Sequence, residues 1–448
     1  MTGIQSLEAR TALGCAFAVA GYIAASSSAI HRLTRRAFDR TANLAFILSR
    51  FVIFFGVFFA LHLPVRGDIP SFYFPEAHWL LQHQLPYRGF PSSYAPLHSF
   101  LDAGLLLLWN SPIAIILFSI LAECLILPVW LRAARLFASE SAVRIAAALY
   151  VTSAISLQFV TIDGQDNVVI ALLLGLGVLA LARRREALSG AVVSFGAVLI
   201  KFLPLLFAPA FILAARRWLR WLLGFTAVLV LGYGTFAAMR LPIFYPFTAE
   251  SGLRTASDLP YLLESAAGFT PPAFFEDGLL AFVLLVLVAV MLRARLRAPA
   301  ETPLLRLAVF GSSSLNLALL IFSKKSWPPY LLLTLFPLCL LLGQGGYRRL
   351  RLACFAVFNV VAVSTHSIWA TVFSQFLAEP FHHALAQRQP MAIAFLITQI
   401  LLVSGYVWLL IESIDMMLAP NPATPATEPQ FAIEAPRLTK EAPRLTKE

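Results

Sequence analysis

Apolar runs of membrane-spanning length recur from the N-terminal region to beyond residue 400, separated by short polar connections. Those near residues 11–30, 42–63, 111–131, 142–160, 167–182, 218–238, 279–292, 304–322, 328–345, 352–369 and 391–412 each predict a helix. A helix rises 1.5 Å per residue and needs about 20 apolar residues to cross the hydrocarbon. Alternation at period two is absent, which argues against an outer-membrane barrel. Two stretches fit less simply. Residues 188–213 lie between two arginine clusters yet suffice for one crossing, so the chain must return, and a hairpin of two short helices turning at "KFLP" (201–204) is predicted. "LHSFLDAGLLLLW" (97–109) is short for a span and is expected to dip into the outer leaflet. Broken elements survive in lipid only where protein or a water-filled cavity shields their ends, so a polar cavity is expected on that face. The fold class is all-α: a polytopic transmembrane bundle of about 11–13 membrane helices, with juxtamembrane helices on the outer face.

Composition sharpens this picture. Of 448 residues, 59% are hydrophobic and 13% charged, so the chain has room for one membrane domain and little else. The formal net charge of +11 does not imply nucleic acid, because most arginines cluster beside apolar runs: around Arg35, Arg135, Arg184, Arg216, Arg295 and Arg349. With all six clusters cytoplasmic, as the positive-inside bias predicts, every intervening segment leaves and returns without contradiction. The insert at 64–97, "IDGQDN" (162–167), the loop 239–278, "SKKSWPPY" (323–330) and the loop 370–390 then share the outer face. Chemistry is expected there, since the cytoplasmic connections carry neither a P-loop nor a dinucleotide fingerprint. The four cysteines lie in apolar runs without CxxC spacing and read as packing residues. The run near 11–30 reads as a retained helix rather than a cleaved signal, because its arginines follow it. Three regions are expected: 1–41, a membrane helix and basic loop; 42–415, the catalytic membrane domain; and 416–448, a disordered Pro/Thr/Glu-rich tail.

Several outer-face residues invite a chemical reading, each with a plain alternative. Asp68 follows an early span in "RGDIPSFYFPE"; a carboxylate at a partly dry boundary suits a general base, whereas the alternative is a helix cap or a partner of Arg66. The following "FPEAHWLLQHQL", which contains Glu76, has the spacing of an amphipathic helix lying in the interface. "GQDN" offers Gln165, Asp166 and Asn167, groups that sugar hydroxyls ask for, or simply a capped turn. Lys201 sits mid-run at a cost of about 2.5–3.5 kcal/mol, so it must snorkel or meet an anion. Lys324 and Lys325 run against the positive-inside trend and precede Trp327 and Tyr330; with Lys201 they suggest a phosphate-bearing ligand. His382 is a further phosphate or leaving-group candidate, and two adjacent histidines point apart on a helix, so joint metal chelation by His382 and His383 is not expected. Glu123, inside a span, reads as a protonated or hydrogen-bonded packing residue.

Taken in series, Asp68, "LPYRGF" and "YAPL" (with Tyr87 and Tyr94), "GQDN", "KFLPLLFAP" and "KKSWPPYLLLTLFP" resemble the GT-C class of membrane glycosyltransferases, specifically the polyprenol-phosphate-mannose-dependent glycosyltransferase family 87. The resemblance covers roughly residues 42–415. One departure is His83-Gln84, where the pattern has a glycine before Leu85. The resemblance implies a GT-C-type bundle in the cytoplasmic (inner) membrane, with its active site facing the periplasm or exterior. It implies transfer of a sugar, mannose or another hexose, from a polyprenyl-phosphate donor to a lipid-linked or small acceptor, with inversion. Asp68 would then be the base. Lys201, Lys324, Lys325 and His382 would receive the donor phosphate. Glu76, Tyr87, Tyr94, Gln165, Asp166, Asn167, Trp327 and Tyr330 would contact sugar or acceptor. No metal or other cofactor is expected, and the partners are the donor, a lipid or glycan acceptor and membrane lipid, not nucleic acid. The alternative is a polyprenyl-lipid flippase or transporter of envelope glycolipid precursors, although no repeat of the transporter kind is visible in the hydropathy.

Overall fold

The computed structural model describes residues 3–249, 256–269, 271–297, 301–344, 348–372 and 379–419. Of the tail expected to be disordered, 416–448, residues 416–418 continue the last helix and 420–448 lie outside the described residues. Every named element among the described residues is helical, and nine helices are long and apolar enough to cross a membrane. The chain is thus an all-α polytopic membrane bundle. Its principal helices are α1 (Gly3–Ser26), α2 (Arg35–Phe55), α3 (Phe74–Leu81), α4 (His98–Leu108), α5 (Pro112–Ala134), α6 (Glu140–Val151), α7 (Asn167–Ala182), α8 (Glu186–Leu199), α9 (Pro204–Ala214), α10 (Trp218–Ala238), α11 (Ala273–Arg297), α12 (Glu301–Phe322), α13 (Arg348–Val372) and α14 (Pro390–Leu418).

The core runs around α12, whose span Leu304–Phe322 is almost wholly buried. Its Ser312, Ser313 and Ser314 hydroxyls return to carbonyls one turn back, at 2.7, 3.1 and 2.9 Å, which keeps their polarity inside the helix. By contrast α10 and α11 bury little of their surface and present leucine, valine and phenylalanine outward, as lipid-facing helices do.

The expected hairpin is present. α8 ends at Leu199, α9 begins at Pro204, and Lys201 lies in the break. The region read as a span at 328–345 differs: a 3₁₀ run, Pro328–Thr334, leads into an eight-residue helix, Leu335–Leu342. Paired prolines lack the N–H groups that an α-helical ladder needs, and Asn316 of α12 instead holds the run by donating to the Tyr330 carbonyl and the Thr334 hydroxyl, both at 2.9 Å.

Arginine-bearing ends gather at one end of the bundle. Arg135 bonds Asp39 and Glu140. Arg144 donates to the carbonyls of Ile30 and Leu33, each at 2.8 Å. Arg306 reaches the Phe137 carbonyl, and Arg348 that of Ala25. The connections at the other ends of the same helices carry the polar residues singled out above.

Candidate functional site

The site begins where α2 ends. Past Ala60 the chain leaves the helix, and Gly67 takes a left-handed φ of +74° that turns it along the bundle end. Asp68 follows, half-buried, and makes no capping bond to the helical turn that starts at Ile69. Its Oδ2 instead accepts from Gln165 Nε2 at 3.0 Å, and the Asn167 amide donates to Gln165 Oε1 at 3.2 Å. The two loops can meet because residue 164 is glycine. Its φ is +66°, and an added Cβ would stand 2.3 Å from the Ile69 side chain, so any other residue would push the Asp68 loop away. Ser119 anchors this turn through the Gly164 carbonyl at 3.1 Å.

A second layer lies behind the first. Asp166 also makes no capping bond; its Oδ2 is 2.7 Å from His98 Nε2, and its Oδ1 accepts from the Tyr73 hydroxyl at 3.3 Å. His98 lies flat on Tyr94, with ring centroids 4.3 Å apart at 18°. The Lys201 ammonium stands 4.7 Å from the Tyr94 centroid and 5.5 Å from that of Tyr330, within cation–π range. Backbone bonds from Ala95 to Ile200 and from Leu97 to Val198, both 3.1 Å, fasten the insert to the hairpin break. Tyr87, itself at a left-handed φ of +69°, donates its hydroxyl to the Tyr94 carbonyl at 2.6 Å.

Glu76 lies beside this layer. Ser92 donates to its Oε2 at 2.7 Å, while Oε1 is buried without a hydrogen-bond partner among the described residues. Burial pushes its carboxyl up to about 7, against the opposing pull of His98, the Ser92 bond and Lys201.

Thus Asp68, Gln165, Asp166, Asn167, Tyr94, Lys201 and Tyr330 converge, with Tyr87 and Glu76 attached through the insert. Lys324 is held by Asp277 at 3.1 Å, and His382 Nδ1 donates to the Ser265 carbonyl at 2.8 Å. Lys325 is partly buried, and Trp327 is too, packed against the core. The sequence reading missed Tyr73, His98, Asp102 and Arg10. His98 and Asp102 had a signal, a four-residue spacing that puts them on one helical face. Arg10 had none: it reaches Asp163 at 3.2 Å from a helix more than 150 positions earlier, and so places the start of α1 at the site end. Among the described residues no group of three His, Cys, Asp or Glu is arranged to hold a metal ion.

A cavity of about 140 Å³, lined by Arg184, Glu186, Arg216 and leucines, lies among the far ends of α7, α8 and α9.

One end of this membrane bundle thus gathers a carboxylate, amides, stacked aromatics and a buried ammonium. The model of glycosyltransferase family 87 matches residues 94–323, just over half the chain. The chain belongs to this family and is a glycosyltransferase. The match takes in Tyr94, the GQDN loop and Lys201, and leaves Asp68, Lys324, Lys325 and Tyr330 outside its ends. No curated protein matches the chain. At the departure noted in the sequence, His83 adopts a left-handed φ of +66°, a conformation that glycine takes without strain.

Proposed function

We propose that this glycosyltransferase takes a hexose, mannose above all, from a polyprenyl-phosphate-sugar in the outer leaflet of the cytoplasmic membrane and passes it to a hydroxyl of a lipid-linked or small acceptor. The observation that carries the proposal is the meeting of Asp68, held by Gln165, with the layer built on Tyr94 and Lys201. Asp68 takes the acceptor's proton as the acceptor oxygen attacks the anomeric carbon from the face opposite the phosphate. The bond from that carbon to the phosphate oxygen breaks with inversion, and polyprenyl phosphate leaves as an anion. Lys201 receives that charge, with Lys324, Lys325 and His382 on the approach; Lys324 must first exchange Asp277 for phosphate. Charges fixed in place before the reaction lower the barrier because they need not reorganise during it. Gln165, Asp166, Asn167, Glu76, Tyr87, Tyr94, Trp327 and Tyr330 are the sugar and acceptor contacts.

Purified protein in lipid, supplied with radiolabelled polyprenyl-phosphate sugars and membrane extract, should yield a labelled product. Sugar-independent movement of lipid without product would favour a flippase instead. Orientation is tested separately in a cysteine-free background of sealed cells: Gln82→Cys, on the exposed side of the insert, should react with an impermeant thiol reagent and Arg184→Cys should not.

A further inference from the structure

His98 is absent from every role above, yet it occupies the centre of the site's second layer. Its side chain is 1% exposed. Nε2 is 2.7 Å from Asp166, a distance typical of a charge-assisted hydrogen bond. Nδ1 is 3.5 Å from Asp102 Oδ2, one turn further along α4, too long for a good hydrogen bond but close enough for electrostatic attraction. The remaining face of contact is Tyr94, and on the same tyrosine ring rests Lys201. Tyr73 closes the arrangement edge-on to both rings, at 4.8 Å from His98 and 5.0 Å from Tyr94.

We propose that His98 is a positioning residue for Lys201: seated beside Asp102 and Asp166, it presents a flat ring that fixes the plane of Tyr94, and that plane in turn holds the ammonium at the hairpin break. The ordering matters because lysine has a flexible four-carbon stem and no geometry of its own. Lys201 lies where α8 has ended and α9 has not begun, so no helix directs it. Stacking supplies a constraint from outside the hairpin. A histidine that merely filled space would contribute volume, and any side chain of similar size would serve. A histidine that positions Lys201 must present a flat face to Tyr94, and that requirement separates the two roles.

The test compares two variants of the full-length protein in lipid. His98→Gln keeps a donor for Asp166 but has no ring to stack. His98→Phe keeps the ring but cannot bond Asp166. Lys201 is 9% exposed, so its modification by a small amine reagent, followed by mass spectrometry of its peptide, reports whether it is held. Modification should rise several-fold in His98→Gln and stay near wild type in His98→Phe. Equal protection in both, or release in the Phe variant, overturns the proposal; if only one variant folds, its own expected result decides. This arm requires no turnover, so it stands or falls apart from the donor assignment. The kinetic arm rests on the proposed function: His98→Gln should raise the donor KM about tenfold, and adding Lys201→Ala should raise it no further than Lys201→Ala alone does. Multiplying effects would mean that the two residues act independently and would remove His98 from the positioning of Lys201.

Discussion

Two buried polar clusters, one inside the helical bundle and one at its end, are built from similar residues to opposite purposes. Inside, Arg50 of α2 is fully enclosed. It bonds Glu123 of α5 at 3.4 Å, the Val151 carbonyl at 3.2 Å, Ser49 at 3.3 Å and Ser156 at 2.6 Å. Glu123 in turn accepts from the Ser156 hydroxyl and from Tyr150 at 3.2 Å. Every polar atom of the pair is engaged. At the end, Glu76 Oε1, Asp102 Oδ2, Asn167 Oδ1 and His98 Nδ1 are buried without a hydrogen-bond partner among the described residues. Buried acceptors without a partner cost stability, so Glu76 Oε1 and Asn167 Oδ1 are places where a ligand's hydroxyl groups would find acceptors. The enclosed pair has nothing left to offer a ligand. It locks the break between α6 and the turn at Ser156.

The sharpest way to break the comparison is at Asp68. Asp68→Asn preserves shape and a hydrogen bond with Gln165 after an amide flip, but it takes no proton. Turnover per folded molecule should fall by about a hundred- to ten-thousand-fold, while donor binding and the melting temperature stay near wild type. Normal turnover would remove Asp68 as the base and turn attention to Asp163 or Asp166.

The enclosed cluster should respond in the other coordinate. Glu123→Ala leaves the Arg50 guanidinium buried without its counter-charge, which should cost about 3–5 kcal/mol of stability, read as a lowered unfolding midpoint in detergent. The fraction still folded should turn over near the wild-type rate. A large kinetic loss at unchanged stability would place Glu123 in the chemistry and undo the distinction between the two regions.

The distinction was half legible in the sequence. Helix positions followed from apolar run lengths, and the hairpin at Lys201 followed from an arginine count that would not close otherwise, because both depend on local composition. Gly164 and Asp166 were visible as a polar turn between apolar runs. What could not be read was pairing. Arg50 lies within "ILSRFV" as an isolated charge and Glu123 within another run, and only the packing of α2 on α5 makes them partners. Arg10 is equally remote from Asp163. His98 went unnoticed because its value lies in what stacks on it, a relation between the insert and α4 that spacing alone does not encode.

Lys201→Ala probes the link between the open cluster and the donor. Removing a single charge-assisted hydrogen bond to the phosphate costs about 1.5–3 kcal/mol, so the donor KM should rise roughly ten- to a hundredfold, with folding unaffected because the lysine's stem is not part of the enclosed network. An unchanged donor KM would dissociate Lys201 from the phosphate and leave Lys324 and Lys325 to carry that role.

The smallest expected effect concerns Glu76, and it tests whether the open cluster strains the fold. Burial raises its carboxyl to about 7, above the ordinary value of about 4.3 that it has when unfolded. Between these values the native protein holds a proton that the unfolded chain has released. Stability from this group is therefore fully present below about pH 4 and is lost as pH rises through 7. Unfolding midpoints measured from pH 5 to pH 8 should fall with rising pH in the wild type. Glu76→Gln keeps the Ser92 bond and has nothing to ionise, so the slope due to this residue should vanish and the variant should be the more stable of the two at pH 8. Identical slopes would mean that Glu76 is ionised and compensated throughout, and that the open cluster is as well satisfied as the enclosed one.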